Sequence, residues 1–213
     1  DSTVPDTATP DTASPDTSAD STVGDTIPAQ PGDALFDWKE IDTGVDGGFL
    51  TVPLDWSDPG GSTTTLYLVR HRAVDPARRI GTLLVNPGGP GFGGTDLAVG
   101  ADGTYGPDLL ARFDIIGWDP RGTGLSEPRV DCIDDYDHYF AVDSSPDTEA
   151  ERTALIDLGE EFGAACQRKN ADLLPFLSTA DSARDMDAIR KALHEPTISY
   201  FGFSYGSELG ATW

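Results

Sequence analysis

Basic residues are scarce: 14 Lys and Arg stand against 37 Asp and Glu in 213 residues, a net charge of −23. Such a surface repels phosphate backbones and anionic lipid, so neither nucleic acid nor an anionic membrane surface is expected as a partner. The acidity reads as a device for solubility rather than as a cation site. No run of about 18 apolar residues occurs, so no membrane span is expected. Cysteine is nearly absent, and Cys132 and Cys166 lack the close spacing of metal ligands. In an exported chain two cysteines most simply pair. Closing a loop of about 35 residues stabilises by roughly 3–4 kcal/mol in the chain-entropy picture. The alternative is two buried free thiols. The chain does not begin with Met, which fits a removed signal peptide or a clipped sequence.

The first 33 residues contain no Lys, no Arg and no aromatic side chain, but seven Asp. Without them the remainder still holds 30 acids and 14 bases. Pro-Asp-Thr recurs at Pro5, Pro10 and Pro15. With nothing large and apolar to bury, this stretch cannot offset its ordering entropy. Residues 1–34 are therefore expected to be a disordered Pro/Thr/Asp-rich linker, with order beginning near Leu35.

From there the chain alternates strand and helix signals. Residues 48–56 are strand-like, 57–61 form a turn cluster, and 63–72 alternate, with Leu66 and Leu68 on one face and Tyr67 and Val69 on the other. A hairpin is expected. Residues 80–85 and 113–118 are short runs apolar on both faces, as in central strands of a parallel sheet. Residues 148–169 are rich in Ala, Glu and Leu, with Leu155, Leu158, Phe162 and Ala165 at helical spacing. Thr179 reads as the N-cap of a helix whose apolar stripe is Ala183, Met186, Ile189 and Leu193, ended by Pro196. Residues 197–201 read as another buried strand. The alternation points to an α/β fold.

That last strand runs into Gly202-Phe203-Ser204-Tyr205-Gly206, a G-x-S-x-G sequence. In a nucleophile elbow the serine occupies a sharp strand-to-helix turn, and a Cβ two positions to either side would crowd it. The turn places the hydroxyl at a helix N-terminus, where the dipole favours developing negative charge. Small residues come next (Gly206, Ser207, Gly210, Ala211), as a closely packed helix requires. Acyl transfer also needs two donors for the oxyanion. One is the N–H after the nucleophile, here Tyr205, and the other comes from a Gly-rich loop after an earlier strand, here Gly88 or Gly89 in Val85-Asn-Pro-Gly-Gly-Pro-Gly91.

The same loop admits a rival reading. Residues 89–94 fit G-x-G-x-x-G, and Asp119 stands near where a ribose-binding acid would sit. Against this, Pro90 lies inside the run, Gly100 and Gly103 interrupt the helix that should open from it, and the serine motif is left unexplained. In residues 119–126, Asp119 and Arg121 read as braces for loop backbone rather than as catalytic groups.

Taken in order, Val52-Pro-Leu-Asp-Trp56, Asn86-Pro-Gly-Gly-Pro-Gly91, Asp119-Pro-Arg-Gly-Thr-Gly-Leu-Ser126 and Gly202-Phe-Ser-Tyr-Gly206 resemble the secreted tripeptidyl and prolyl aminopeptidases of the α/β-hydrolase superfamily. The resemblance covers roughly residues 36–213. It implies an α/β-hydrolase fold, Ser204 as nucleophile, and Gly88 or Gly89 with Tyr205 as the oxyanion hole. It further implies cleavage of short peptides or single residues from free N-termini, with no metal and no organic cofactor. Pro87 stands where the intracellular prolyl aminopeptidases carry His, which leaves the preferred N-terminal residue open. The leader resembles a Pro/Thr-rich tether at a bacterial cell surface, implying a secreted or surface location.

Histidine is also scarce. His71, His138 and His194 all precede Ser204, whereas the order in this fold is Ser, then Asp or Glu, then His. They read as surface or loop residues. The acid and base are expected beyond Trp213, so that residues 35–213 would be the N-terminal portion of a catalytic domain. Such a portion alone is expected to be inactive and aggregation-prone, because its nucleophile strand would keep an unpaired edge. A lipase- or esterase-like hydrolase uses the same machinery and stands as the alternative. A surface or nucleotide-binding protein is the non-enzymatic one. Oligomeric state is open.

Overall fold

Successive residues of the two central strands face opposite ways, and each face has found its own cover. In β4 (Gly81–Asn86) and β5 (Phe113–Trp118), Leu83, Val85 and Ile115 join Ala101, Tyr105 and Leu110 on one side of the sheet. Leu84 and Ile116 join Met186, Ile189 and Leu209 on the other. This is the pattern of a strand buried on both faces by crossover connections.

The computed structural model describes residues 33–213. The expected linker lies outside them, except for Asp33 and Ala34, which belong to a short helix, α1 (Asp33–Phe36). A charged edge strand, β1 (Lys39–Asp42), precedes the expected hairpin of β2 (Val45–Pro53) and β3 (Thr63–His71). Three short helices, α2 (Thr95–Val99), α3 (Ala101–Thr104) and α4 (Pro107–Arg112), link β4 to β5. After β5 come α5 (Tyr136–Phe140), the 22-residue α6 (Glu149–Asn170) and α7 (Thr179–Ala192). The chain ends in β6 (Ser199–Gly202) and α8 (Tyr205–Thr212).

The six strands run in the order β1-β2-β3-β5-β4-β6. Each neighbouring pair among β1, β2, β3 and β5 is antiparallel, whereas β4 pairs in parallel with both β5 and β6. The connection leaving β4 packs on one face of the sheet, and α8, leaving β6, packs on the other. Adjacent parallel strands whose connections depart to opposite faces open a crevice at their carboxyl ends, the position where open α/β sheets bind ligands.

Several local expectations hold. Leu66 and Leu68 lie in the main core, with Val69 and Tyr67 on the opposite face. Thr148 caps α6 through a reciprocal capping box with Glu151, which satisfies two N-terminal amides at once. Three expectations are corrected. The N-cap of α7 is Ser178, whose side chain accepts the Asp181 N–H, and Thr179 is the first helical residue. The strand expected to be buried, β6, is half exposed, because one of its edges has no partner among the described residues. His71 is neither surface nor loop: it ends β3, buried, with Nε2 3.3 Å from Asp102.

Cys132 and Cys166 form a disulfide. It ties α6 to the segment after β5, beside a small cluster that includes Ile133, Tyr139 and Phe162. The helix is otherwise largely exposed: only Ala165 and Asn170 are buried along its length.

Candidate active site

Ser204 stands between β6 and α8 with φ 50° and ψ −125°. A positive φ at a residue bearing a Cβ is costly and persists only where the surroundings enforce it. Those surroundings are close-packed backbone. The Gly206 N–H donates to Phe203 O and the Ser207 N–H to Ser204 O, closing the turn at 2.7 and 2.9 Å. A Cβ on Gly202 would stand 2.6 Å from Gly206 O, and one on Gly206 2.9 Å from Asn86 O. The spacing of the two glycines around the serine is thus a result of steric contact.

The turn is buttressed from below by Tyr200, whose place in the site the sequence reading missed. Its hydroxyl donates to Gly206 O at 2.7 Å, and its ring lies where a Cβ on Gly210 would be, 2.4 Å away. Burial, with a smaller contribution from Tyr205, pushes the Tyr200 phenol up to about 12, so it remains a donor at any physiological pH. Of the small residues expected to let α8 pack closely, Gly206 and Gly210 make such contacts, whereas Ser207 and Ala211 are exposed.

The glycine loop after β4 reaches the same place. A Cβ on Gly88, at φ +99°, would lie 2.5 Å from Phe203 O and 3.0 Å from Tyr205 N. Gly89 does not touch the elbow in this way; its neighbours are Gly91 and Phe92. The two glycines also differ in their amides. The Gly88 N–H donates to Asn86 Oδ1 at 2.9 Å. The N–H groups of Gly89 and Tyr205 meet no hydrogen-bond acceptor among the described residues. Tyr205 is the first residue of α8, where the backbone donor has no partner within the helix.

Ser204 is exposed, and its Oγ makes no hydrogen bond among the described residues. No histidine is engaged with it. His71 sits against Asp102 and His138 against Glu161, and His194 lies at φ 56° just beyond α7. Beside the elbow opens a cleft of about 490 Å³, lined by Gly88, Pro90 and Phe92 from the glycine loop, by Tyr205, and by Arg121 and Arg129. Tyr205 is oriented there by a 2.9 Å hydrogen bond between its hydroxyl and Thr179 Oγ1.

Asp119 and Arg121 brace the loops. The Asp119 carboxylate accepts from Thr95 Oγ1 at 3.0 Å and from the Leu125 N–H at 2.8 Å. It lies where Cβ atoms on Gly93 and Gly124 would fall, 2.0 Å away in each case. Both its oxygens are thus spent inside the protein, which removes the ribose-binding acid from the dinucleotide reading. Arg121 makes a two-pronged pair with Asp185, Nε to Oδ2 at 2.7 Å and Nη2 to Oδ1 at 2.6 Å. It also donates to the carbonyls of Pro53, Leu54 and Phe176, and Trp56 Nε1 completes the shell of Asp185. Burial lifts the Asp185 carboxyl to about 6, with Arg121 pulling it back down.

An exposed alcohol on a strained turn, followed by the unpaired Tyr205 amide and packed against a glycine loop, is an arrangement suited to acyl transfer to serine. Comparison with known proteins agrees with the fold. Residues 81–213 match the family described as alpha/beta hydrolase fold, and the chain belongs to that family. Among curated relatives, it is similar to the tripeptidyl aminopeptidase of Streptomyces coelicolor, 34% identical over 186 residues, which is 85% of this chain and 34% of that protein. It is likewise similar to the serine protease Hip1 of Mycobacterium tuberculosis, 34% identical over 170 residues, 78% of this chain and 32% of that one. The carboxylesterase B of Mycobacterium tuberculosis is 38% identical over 147 residues, 67% of this chain and 28% of that one. The chain therefore spans about a third of the length of the relatives it matches.

Proposed function

We propose that this chain carries the nucleophile and oxyanion-binding part of a serine exopeptidase that releases short peptides or single residues from free N-termini. Ser204 Oγ attacks the scissile carbonyl carbon and passes its proton to a base. The carbonyl oxygen becomes an oxyanion facing the Gly89 and Tyr205 amides. Collapse of the intermediate expels the amine with that proton and leaves an acyl-enzyme, which water then hydrolyses to a peptide carboxylate and free Ser204. In this reading the base and its carboxylate partner lie outside this chain, because His71 and His138 each face an acid and none of the three histidines is hydrogen-bonded to Ser204 among the described residues. No metal or organic cofactor enters the scheme. The partner is a peptide substrate. The location is outside the cytoplasm, in keeping with the disulfide, and no helix among the described residues is long and apolar enough to cross a membrane.

The observation that carries this reading is the backbone of Ser204, held at φ 50° in front of a helix with Gly88 packed against the turn. Aminopeptidase and serine protease names among the relatives support the choice of amide over ester, whereas the carboxylesterase supports the ester. Full-length protein is tested on aminopeptidyl-coumarin and nitrophenyl-ester substrates, alongside Ser204→Ala. The expected result is preference for an unblocked peptide amide, and a loss of about 10⁴-fold or more in kcat on removing the hydroxyl. Faster turnover of esters, with blocked and free peptides refused, gives the esterase instead. Retained turnover in Ser204→Ala ends both.

A further inference from the structure

One side chain touches both halves of the site. Asn86 is the last residue of β4, lies in register with Gly202 of β6 and is buried. Its carbonyl accepts the Phe203 N–H at 3.1 Å, and its Oδ1 accepts the Gly88 N–H at 2.9 Å. The same Oδ1 lies 3.0 Å from where a Cβ on Gly206 would be. The amide is therefore wedged between the glycine loop and the first turn of the elbow helix. Because Oδ1 must face the Gly88 donor, the orientation of the group is fixed by its partner. Its Nδ2 meets no acceptor among the described residues, and Asn86 lines the cleft.

The loop amides are thereby divided. Gly88 packs closest to the elbow, yet its N–H is turned inward and occupied. Gly89, one residue on, keeps its donor. Without the Asn86 acceptor, a buried Gly88 N–H would be left unpaired at a cost of about 1–3 kcal/mol, and the loop would relieve that cost by rotating the peptide. A displacement of about 1 Å in a catalytic group is enough to cost about 10²-fold in rate.

We propose that Asn86 is a positioning residue for acyl transfer: by holding the Gly88 N–H on Oδ1 and the Phe203 N–H on its carbonyl, it sets the loop against the elbow and reserves the Gly89 and Tyr205 amides for the oxyanion. This rests on the assignment of Ser204 as nucleophile. It is not a corollary of that assignment, because a loop presenting Gly88 instead would serve the same chemistry.

The test uses full-length protein, an aminopeptidyl-coumarin substrate, a fluorophosphonate probe and a peptide boronate that forms a tetrahedral adduct. Asn86→Leu removes the acceptor at similar volume, whereas Asn86→Asp retains it. The Leu variant is expected to lose about 10²-fold in kcat with KM changed by less than about threefold, and to lose boronate affinity in proportion. The Asp variant should recover at least tenfold of that loss in fluorophosphonate labelling rate. A Leu variant within about threefold of the parent, or Leu and Asp variants equally impaired, overturns the proposal. Should Asn86→Leu fail to fold, the unmodified protein still decides. A crystal structure of its boronate adduct should show the oxyanion on Gly89 N and Tyr205 N with Gly88 N still on Asn86 Oδ1. An oxyanion on Gly88 N overturns the proposal. Failure of the fluorophosphonate to label Ser204 in the unmodified protein would instead bring down the serine-hydrolase reading, so the two failures are separable.

Discussion

Between Asn86 and Gly206 the elbow and the loop facing it are fixed by other backbone atoms at contact distance; between Tyr136 and Asn170 the chain is held at a few points and otherwise faces solvent. Near the elbow, a methyl group has no room at Gly88, Gly202, Gly206 or Gly210, and buried polar side chains such as Asn86, Asp119 and Arg121 are hydrogen-bonded to loop backbone. Along α6, the anchors are one disulfide, the amide of Asn170, the rings of Tyr139, Phe140 and Phe162, and exposed polar contacts from Glu161 to Tyr139 and from Lys169 to Asp134. The two regions should therefore answer a mutation differently. The first should transmit a small change into chemistry or into global stability. The second should absorb it as local opening, because few buried contacts couple it to the sheet.

The largest effect is expected where the braced region buries charge. Arg121→Met removes the partner of Asp185, whose side chain is fully enclosed. Breaking a buried pair from one side typically costs about 3–5 kcal/mol. The pH dependence gives the sign. Burial already raises the Asp185 carboxyl to about 6, and losing Arg121 removes the main influence lowering it. A group whose folded pKa lies above its unfolded value contributes stability at low pH that is lost as pH rises through the folded value. Denaturant titration of the full-length protein should therefore show the variant weakest at neutral pH, with the deficit shrinking at pH about 5. An equal deficit at both would mean the carboxylate has found water or another cation.

Next in size is the disulfide. A free-thiol assay on denatured, unreduced protein should count neither Cys132 nor Cys166. Replacing both by Ser should cost about 3–4 kcal/mol if the chain-entropy account applied to the whole molecule. The contrast between regions sharpens this: hydrogen exchange should localise the loss to residues 131–170, and fluorophosphonate labelling at Ser204 should persist. Loss of labelling together with α6 protection would show that the excursion supports the cleft. Asn170→Ala should act on the same unit more mildly. It deletes bonds from Nδ2 to Asp131 O and Cys166 O and one from the Asp131 N–H to Oδ1, and unpaired buried backbone costs about 1–3 kcal/mol.

The same contrast explains how much was legible in the sequence. β4, β5 and the elbow could be read because their signals are local: apolar on both faces, bounded by glycine, with a serine at the bend. The apolar stripe of α7 was legible for the same reason, and its cap was misplaced by one because Ser178 and Thr179 are both competent. What failed depended on distant partners. The burial of β6 is set by what lies beside its outer edge, where Phe201 and Phe203 remain 43% and 46% exposed. His71 is buried beside an acid, Asp102, contributed by α3. Tyr200 gave no signal, since its task is to fill space that glycines vacate. Asn86 was visible as part of a motif, but its division of the glycine amides exists only once loop and elbow meet.

The smallest effect is expected on the exposed face of α6. Ile156 sits in the N-terminal half of α6 and is 55% exposed. Helical spacing around it looks like a core stripe, yet Leu155, Leu158 and Phe162 are only partly covered. If that half of α6 stands free in the full-length protein, Ile156→Ser changes stability by less than about 0.5 kcal/mol, as exposed substitutions do. If residues outside this chain pack on it, the same change removes a buried side chain and costs about 2 kcal/mol or more. Thermal denaturation of the full-length pair separates these outcomes. The larger value would mean that α6 is a loosely held arm only in the part of the structure described, and that its exposed isoleucine marks the side from which the rest of the protein approaches.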